Sequence, residues 1–281
     1  MIIYHHSDND GRCAGAIALR WGRGQIGTTW PERIETIEVD YGNPIDTDII
    51  WDNESIIIID FTFKPEVMAK VLEKTQNVTW IDHHASNYDY PYLNLPGIRD
   101  FVPKSKSGCE LAWQYFFPGY DVPWAVTLIG DRDKWANIYP ESNTLRQGLK
   151  LNNTLPESSL WDDLLFPKEG NLLNDIIKNG EICLAFRDSL CKDYCDKFGY
   201  EVLFEGYKCF VMGLHFFGSD AFGGRLKEYP ICISYEFNGD LYIIGLYSET
   251  IDVSEICKRW GGGGHKGAGG FEHKQLPFSK I

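Results

Sequence analysis

Four consecutive isoleucines, Ile56–Ile59, run straight into Asp60, and the same abrupt change from apolar to titratable recurs twice more. Ile2 and Ile3 lead to His6, Asp8 and Asp10, while "VTWI" leads to Asp82, His83 and His84. A run of β-branched residues with no polar alternation reads as a strand buried on both faces. Between the runs, "GRCAGAIALRW" and "KPEVMAKVLEKT" carry helical apolar spacing, the second with Pro65 in its first turn. Strand, helix, strand in this rhythm predicts an α/β fold with a parallel sheet covered by helices. Ligands of such sheets bind beyond the carboxyl ends of the strands. Three strands ending in acids or histidines therefore point at one rim, and four of the seven histidines fall there.

So many carboxylates in one place repel each other, and each raises its neighbours' pKa unless positive charge sits among them. A metal ion, a set of arginines or solvent would each relieve that repulsion. Carboxylates mixed with imidazoles suit manganese or a related first-row cation better than all-oxygen magnesium or thiolate zinc sites. Two cations about 3.5–4 Å apart can share one carboxylate. Asp60, on the middle of the candidate strands, is the expected bridge, and His5 is expected simply to pack.

Further along, "KSGCELAWQYFF" and "DVPWAVTLIGDRDKW" read as helices, with Ser107 as cap of the first. Lys106 and Ser107 could also touch a phosphate. Residues 171–198 form a long helical connector containing Gly180. Beyond Gly199 come short strands, a hairpin signal at Asn238-Gly239-Asp240, and a helix capped by Asp252. The expected domains are 1–165, a connector 166–199, and a smaller α/β domain 200–281. The last helix enters "GGGGHKGAGG", whose consecutive glycines let backbone N–H groups form an anion nest. Gly262, Gly263, Gly264, His265 and Arg259 are the expected substrate contacts.

A net charge of −13 opposes binding to long duplex nucleic acid but leaves room for a small phosphorylated ligand. The eight cysteines form no C-x-x-C pair and read as free thiols in a reducing cytosol, although Cys191 and Cys195 lie one turn apart. No basic leader and no long apolar run is visible, so the expectation is a cytoplasmic chain without a membrane span.

Taken in order, His6-x-Asp8-x-Asp10-Gly11, the strand ending at Asp60, Asp82-His83-His84 and the stretch Gly262–Gly270 resemble the DHH phosphoesterase superfamily. The final stretch resembles its DHH-associated C-terminal domain, the substrate-binding part. The resemblance implies that His6, Asp8 and Asp10 form the first metal motif, that Asp60 bridges, and that His83 serves the second metal. Asp82 would orient His83 or ligate directly, and His84 would reach the scissile phosphate. The fourth motif falls on "GDRDKW", at Asp131 or Asp133. Asp133 is favoured, because relatives acting on short oligonucleotides resemble D-x-W there, completed by Trp135.

The activity so implied is a phosphodiesterase using two manganese ions, with magnesium or cobalt as substitutes. It would cut short single-stranded oligonucleotides, or linear or cyclic dinucleotides, to mononucleotides. A homodimer is left open. The alternatives are a RecJ-like single-strand exonuclease, an inorganic pyrophosphatase or polyphosphatase, and a non-catalytic nucleotide sensor. The H-x-D-x-D spacing argues against the pyrophosphatases, the acidic charge against long strands, and the intact acid set against the sensor.

Overall fold

The computed structural model describes residues 1–24, 33–84, 89–167 and 170–281. Two compact units divide within a long helix, at Met1–Ile182 and Cys183–Ile281.

The first unit begins with β1 (Ile2–His6), α1 (Asn9–Gly24), β2 (Glu35–Val39), β3 (Ile56–Ile59), α2 (Pro65–Lys74) and β4 (Val78–Ile81). The four strands form one sheet in the order β2-β1-β3-β4, every pairing parallel. Alternate residues serve opposite faces, as the pleat requires. Ile3, Ile57, Ile59 and Ile81 pack against α1 and the later helices, while Ile2, Ile56, Ile58 and Trp80 pack with Met68 and Val71 of α2. Burial on both sides explains the unbroken isoleucine run, each side chain contributing about 2 kcal/mol. After β4 come α3 (Gly108–Phe116), α4 (Trp124–Asp133), α5 (Glu141–Leu149), α6 (Leu160–Leu165) and the long α7 (Leu172–Phe198).

The second unit holds β5 (Tyr200–Phe204), β6 (Tyr207–Met212), α8 (Arg225–Glu228), β7 (Ile231–Phe237), β8 (Tyr242–Tyr247), α9 (Val253–Arg259), β9 (Gly263–His265), β10 (Ala268–His273) and β11 (Ser279–Lys280). Its seven strands run β11-β5-β6-β7-β8-β10-β9, parallel only between β6 and β7. The β7–β8 hairpin turns at Asn238–Leu241, where Asn238 Oδ1 accepts the N–H groups of Asp240 (3.0 Å) and Leu241 (2.9 Å). Asp252 caps α9, accepting the Ser254 N–H at 3.1 Å.

The glycine-rich segment differs from the loop its composition suggested. It is a tight antiparallel hairpin, β9–β10, pairing Ala268 with His265 and Gly270 with Gly263. A Cβ at Gly262 would lie 2.0 Å from the Gly270 carbonyl oxygen, and Gly264 sits at φ 137°. Both positions demand glycine for backbone reasons alone.

Candidate metal centre

Strand register fixes the site. His5 pairs with Ile59 and Ile59 with Ile81, so His6, Asp60 and Asp82 follow at the same level beyond the carboxyl ends. His6 pairs with Val39, so Asp40 follows one residue beyond that level after β2. Strands β1 to β4 thus all deliver an acid or a histidine to one rim. Sequence reasoning missed Asp40, although "ETIEV" running into an aspartate obeys the same rule.

Asp60 is the most constrained of these. It adopts φ 53°, in the left-handed region that few residues other than glycine enter, and is 1% exposed. A Cβ on Gly108 would come within 2.5 Å of Asp60 Cβ, so glycine is needed for the start of α3 to approach. That helix start is occupied by Asp10. Its Oδ1 accepts from Ser107 Oγ (2.8 Å) and Cys109 N (3.0 Å), and its Oδ2 accepts from Gly108 N (2.6 Å). Ser107 caps α3 as expected, in a capping box in which Glu110 accepts the Ser107 N–H at 2.8 Å, and its hydroxyl also donates to Asp10.

Around Asp60 the ligand-type atoms converge. His83 Nε2 lies 3.1 Å from Asp60 Oδ1, 3.5 Å from Asp133 Oδ2 and 3.9 Å from Asp10 Oδ2. On the other side, His6 Nδ1 is 3.1 Å from Asp8 Oδ2 and 3.9 Å from Asp60 Oδ2. Three overlapping sets result: His6, Asp8, Asp60; Asp60, His83, His84; and Asp10, His83, Asp133. Asp40 holds the far side of the His6 ring, at 3.5 Å, and accepts the Ser7 hydroxyl at 3.1 Å.

Among the described residues, both Asp60 oxygens, His6 Nδ1, His83 Nε2 and Asp133 Oδ2 are buried without a hydrogen-bond partner. Leaving one such group unsatisfied costs about 1–3 kcal/mol, so five in contact need an occupant. Two ligands about 2.1 Å from one cation and at right angles to it stand about 3 Å apart, close to the separations seen. The mixed oxygen and imidazole set therefore fits a divalent first-row cation. The electrostatics agree. Burial first, then the charges of Asp10 and Asp8, push Asp60 well above the usual carboxylate range and Asp133 up to about 9. Asp8 falls below its ordinary value despite burial, because His6 and the Gly11 N–H (2.9 Å) stabilise its charge.

His84 stands beside the cluster with Nδ1 2.7 Å from Asp82 Oδ1. Asp82 is fully buried and accepts the Thr62 hydroxyl on its other oxygen. Burial pushes the His84 pKa down, but the hydrogen bond and charge of Asp82 outweigh it and the pKa ends above the ordinary histidine value. His5 is buried, with Nδ1 2.9 Å from the His6 carbonyl oxygen, and packs.

Of the two aspartates of "GDRDKW", only Asp133 reaches the cluster. Asp131 ties down the next turn, accepting from Ile138 N (2.9 Å), Tyr139 N (3.3 Å) and Ser142 Oγ (2.6 Å). In the second unit, Gly262 lines a cavity of ≈ 720 Å³ with His215, Tyr247 and Phe271. His265 lies exposed on β9. The Arg259 guanidinium is paired to Glu205 at 2.6 Å, which also accepts the Trp260 indole N–H.

No family model matches the chain. It is 24% identical over 248 residues to uncharacterized protein R106 of Acanthamoeba polyphaga mimivirus, an alignment covering 82% of this chain and 56% of that protein. The chain thus spans little more than half the length of this relative. Among solved structures, the pGpG-specific phosphodiesterase PggH from Vibrio cholerae superposes with a TM-score of 0.55 at 14% identity, covering 97% of this chain and 92% of that one. The DHH domain of a member of a ribosomal-protein family gives 0.56 at 11% identity, covering 100% and 82%. The chain has the fold of the DHH superfamily. Within that fold it is similar to a phosphodiesterase over nearly its whole length. No described helix is long and apolar enough to cross a membrane.

Proposed function

We propose that the protein is a manganese-dependent phosphodiesterase that hydrolyses short oligonucleotides or dinucleotides to mononucleotides. The observation that carries this reading is Asp60, whose two buried, unpartnered oxygens face two histidine-bearing ligand sets. His6 and Asp8 would hold one cation and His83, Asp133 and Asp10 the other, with Asp60 shared. Two divalent ions so bound would activate water and stabilise the charge of an in-line displacement at phosphorus.

The remaining chemistry belongs to the chain. His84, fixed through Nδ1 by Asp82, presents Nε2 as a proton donor to a phosphoryl oxygen, and its raised pKa keeps it charged to higher pH. Thr62 holds Asp82 in turn, so the donor's direction is set by two hydrogen bonds. Asp10 anchors the start of α3 against the cluster. Substrate binding is assigned to Gly262, Gly263, Gly264 and His265, with Arg259 available if it exchanges Glu205 for a phosphate. The likeness to a pGpG-specific phosphodiesterase supports a very short substrate.

The test is a panel of dinucleotides to decanucleotides, cyclic dinucleotides and pyrophosphate, assayed with manganese. Turnover best at about two to five nucleotides supports the reading, and turnover of pyrophosphate alone overturns it.

A further inference from the structure

The turn after α4 contains a tryptophan in a conformation that bulky side chains avoid. Trp135 has φ 52° and is 66% exposed. The surrounding turn holds it there. Trp135 N donates to the Arg132 carbonyl at 3.1 Å, Asn137 Nδ2 donates to the Trp135 carbonyl at 3.3 Å, and Asp131 secures the chain beyond. The Arg132 guanidinium lies over the indole, 4.1 Å from its centroid.

Beside this stack opens a cavity of ≈ 250 Å³, lined by Trp135 and Arg132, by Asp8, Asp10 and Asp133 of the metal cluster, and by Arg146 of α5. Arg146 is half-buried, and among the described residues it makes no ion pair or hydrogen bond. A half-buried guanidinium whose N–H donors are not taken up by the protein is well placed to receive phosphate oxygens. The cavity's own carboxylates are committed elsewhere: Asp10 to α3, and Asp8 and Asp133 to the cluster.

We infer that this cavity is a nucleotide subsite within the first unit. In it Arg146 receives a phosphate of the substrate other than the one being cut, and the Trp135–Arg132 stack receives the adjoining base. The inference rests on the phosphodiesterase reading and gives it a specificity: substrates with a second phosphate are preferred. That phosphate could be a terminal phosphomonoester or the next linking diester. Planar, forked guanidinium suits either.

Three manganese-assayed substrates separate the two sources: an unphosphorylated dinucleotide, the same dinucleotide with a terminal phosphate, and an unphosphorylated trinucleotide. Wild type should show a kcat/KM preference of about 10-fold or more for at least one of the two substrates that carry a second phosphate, the size expected of one charge-assisted contact. Arg146→Gln should abolish that preference, mainly through KM, and Arg146→Lys should restore part of it. Trp135→Ala should raise KM for all three. A preference unchanged in Arg146→Gln overturns the inference. So does its loss accompanied by loss of manganese binding, which would place Arg146 in support of the cluster.

Binding of a nucleoside monophosphate, measured by calorimetry on the manganese-loaded protein, needs no turnover. If no oligonucleotide is hydrolysed but the monophosphate binds about 10-fold more weakly to Arg146→Gln, the subsite stands and the phosphodiesterase reading falls. Equal binding by both proteins overturns the subsite.

Discussion

Asp10 and Asp60 are both buried acids in one cluster, yet substitution should move stability in opposite directions. Asp10 accepts three hydrogen bonds from the start of α3, at 2.6, 2.8 and 3.0 Å. Asp10→Ala strands two buried backbone N–H groups and one hydroxyl, at about 1–3 kcal/mol each and less than additively, so about 3–5 kcal/mol in total. For a unit of this size that lowers Tm by about 10 °C, whether or not metal is present. Asp60 accepts nothing and is surrounded by other acids. Asp60→Asn removes a buried acid that the metal-free fold must keep protonated at this pH, while keeping its shape, so the chelator-treated protein should melt at the same temperature or higher. The variant should also lose the rise in Tm that manganese gives wild type. Thermal melts of the three proteins at about pH 8, with chelator and with manganese, read all of this out. A chelator-treated Asp60→Asn protein that melts lower, by as much as Asp10→Ala does, would refute the reasoning.

The metal-free protein should lose stability as pH rises from about 5 toward about 9, because Asp133 (pKa about 9) and Asp60 hold protons that the unfolded chain has released. Manganese displaces those protons, so its stabilising effect should grow over the same window, and melts at three pH values check the trend. Asp133→Asn should cut turnover at least about 100-fold together with manganese affinity, whereas Asp131→Asn should cost about 1–2 kcal/mol of stability and leave most turnover, as paired kinetics and melts will show. Asp82→Asn should lower kcat by about 100-fold and move the alkaline limb of the rate profile to lower pH, since His84 loses the carboxylate that raises its pKa. His265→Ala should weaken turnover of dinucleotides while leaving manganese content intact, measured by metal analysis beside kcat/KM.

The sheet was legible because doubly buried strands leave no choice of side chain: Ile56–Ile59 alternate faces and both faces are core. The rim was legible for the same reason, since a strand buried to its last residue shows where polarity begins. Asp131 and Asp133 are harder to separate, being two residues apart on one helix end. Only the hydrogen bonds from Ile138, Tyr139 and Ser142 show that the first is committed to the turn. Ser107 was legible as the cap of α3, but its bond to Asp10 was not, because that acid is 97 residues away in sequence. The glycines of residues 261–270 suggested a loop because their composition lacks any strand former. Their need is steric, and close backbone approach leaves no periodic signal. Arg146 carries no motif at all, and only the cavity beside it gives it meaning.

In the proposed site Asp60 serves two cations at once. Metal analysis of the manganese-loaded, gel-filtered protein should find two ions per chain in wild type and neither in Asp60→Asn, with dinucleotide hydrolysis lost in parallel. Wild-type hydrolysis surviving complete chelation, or an Asp60→Asn protein that keeps both ions, would contradict it.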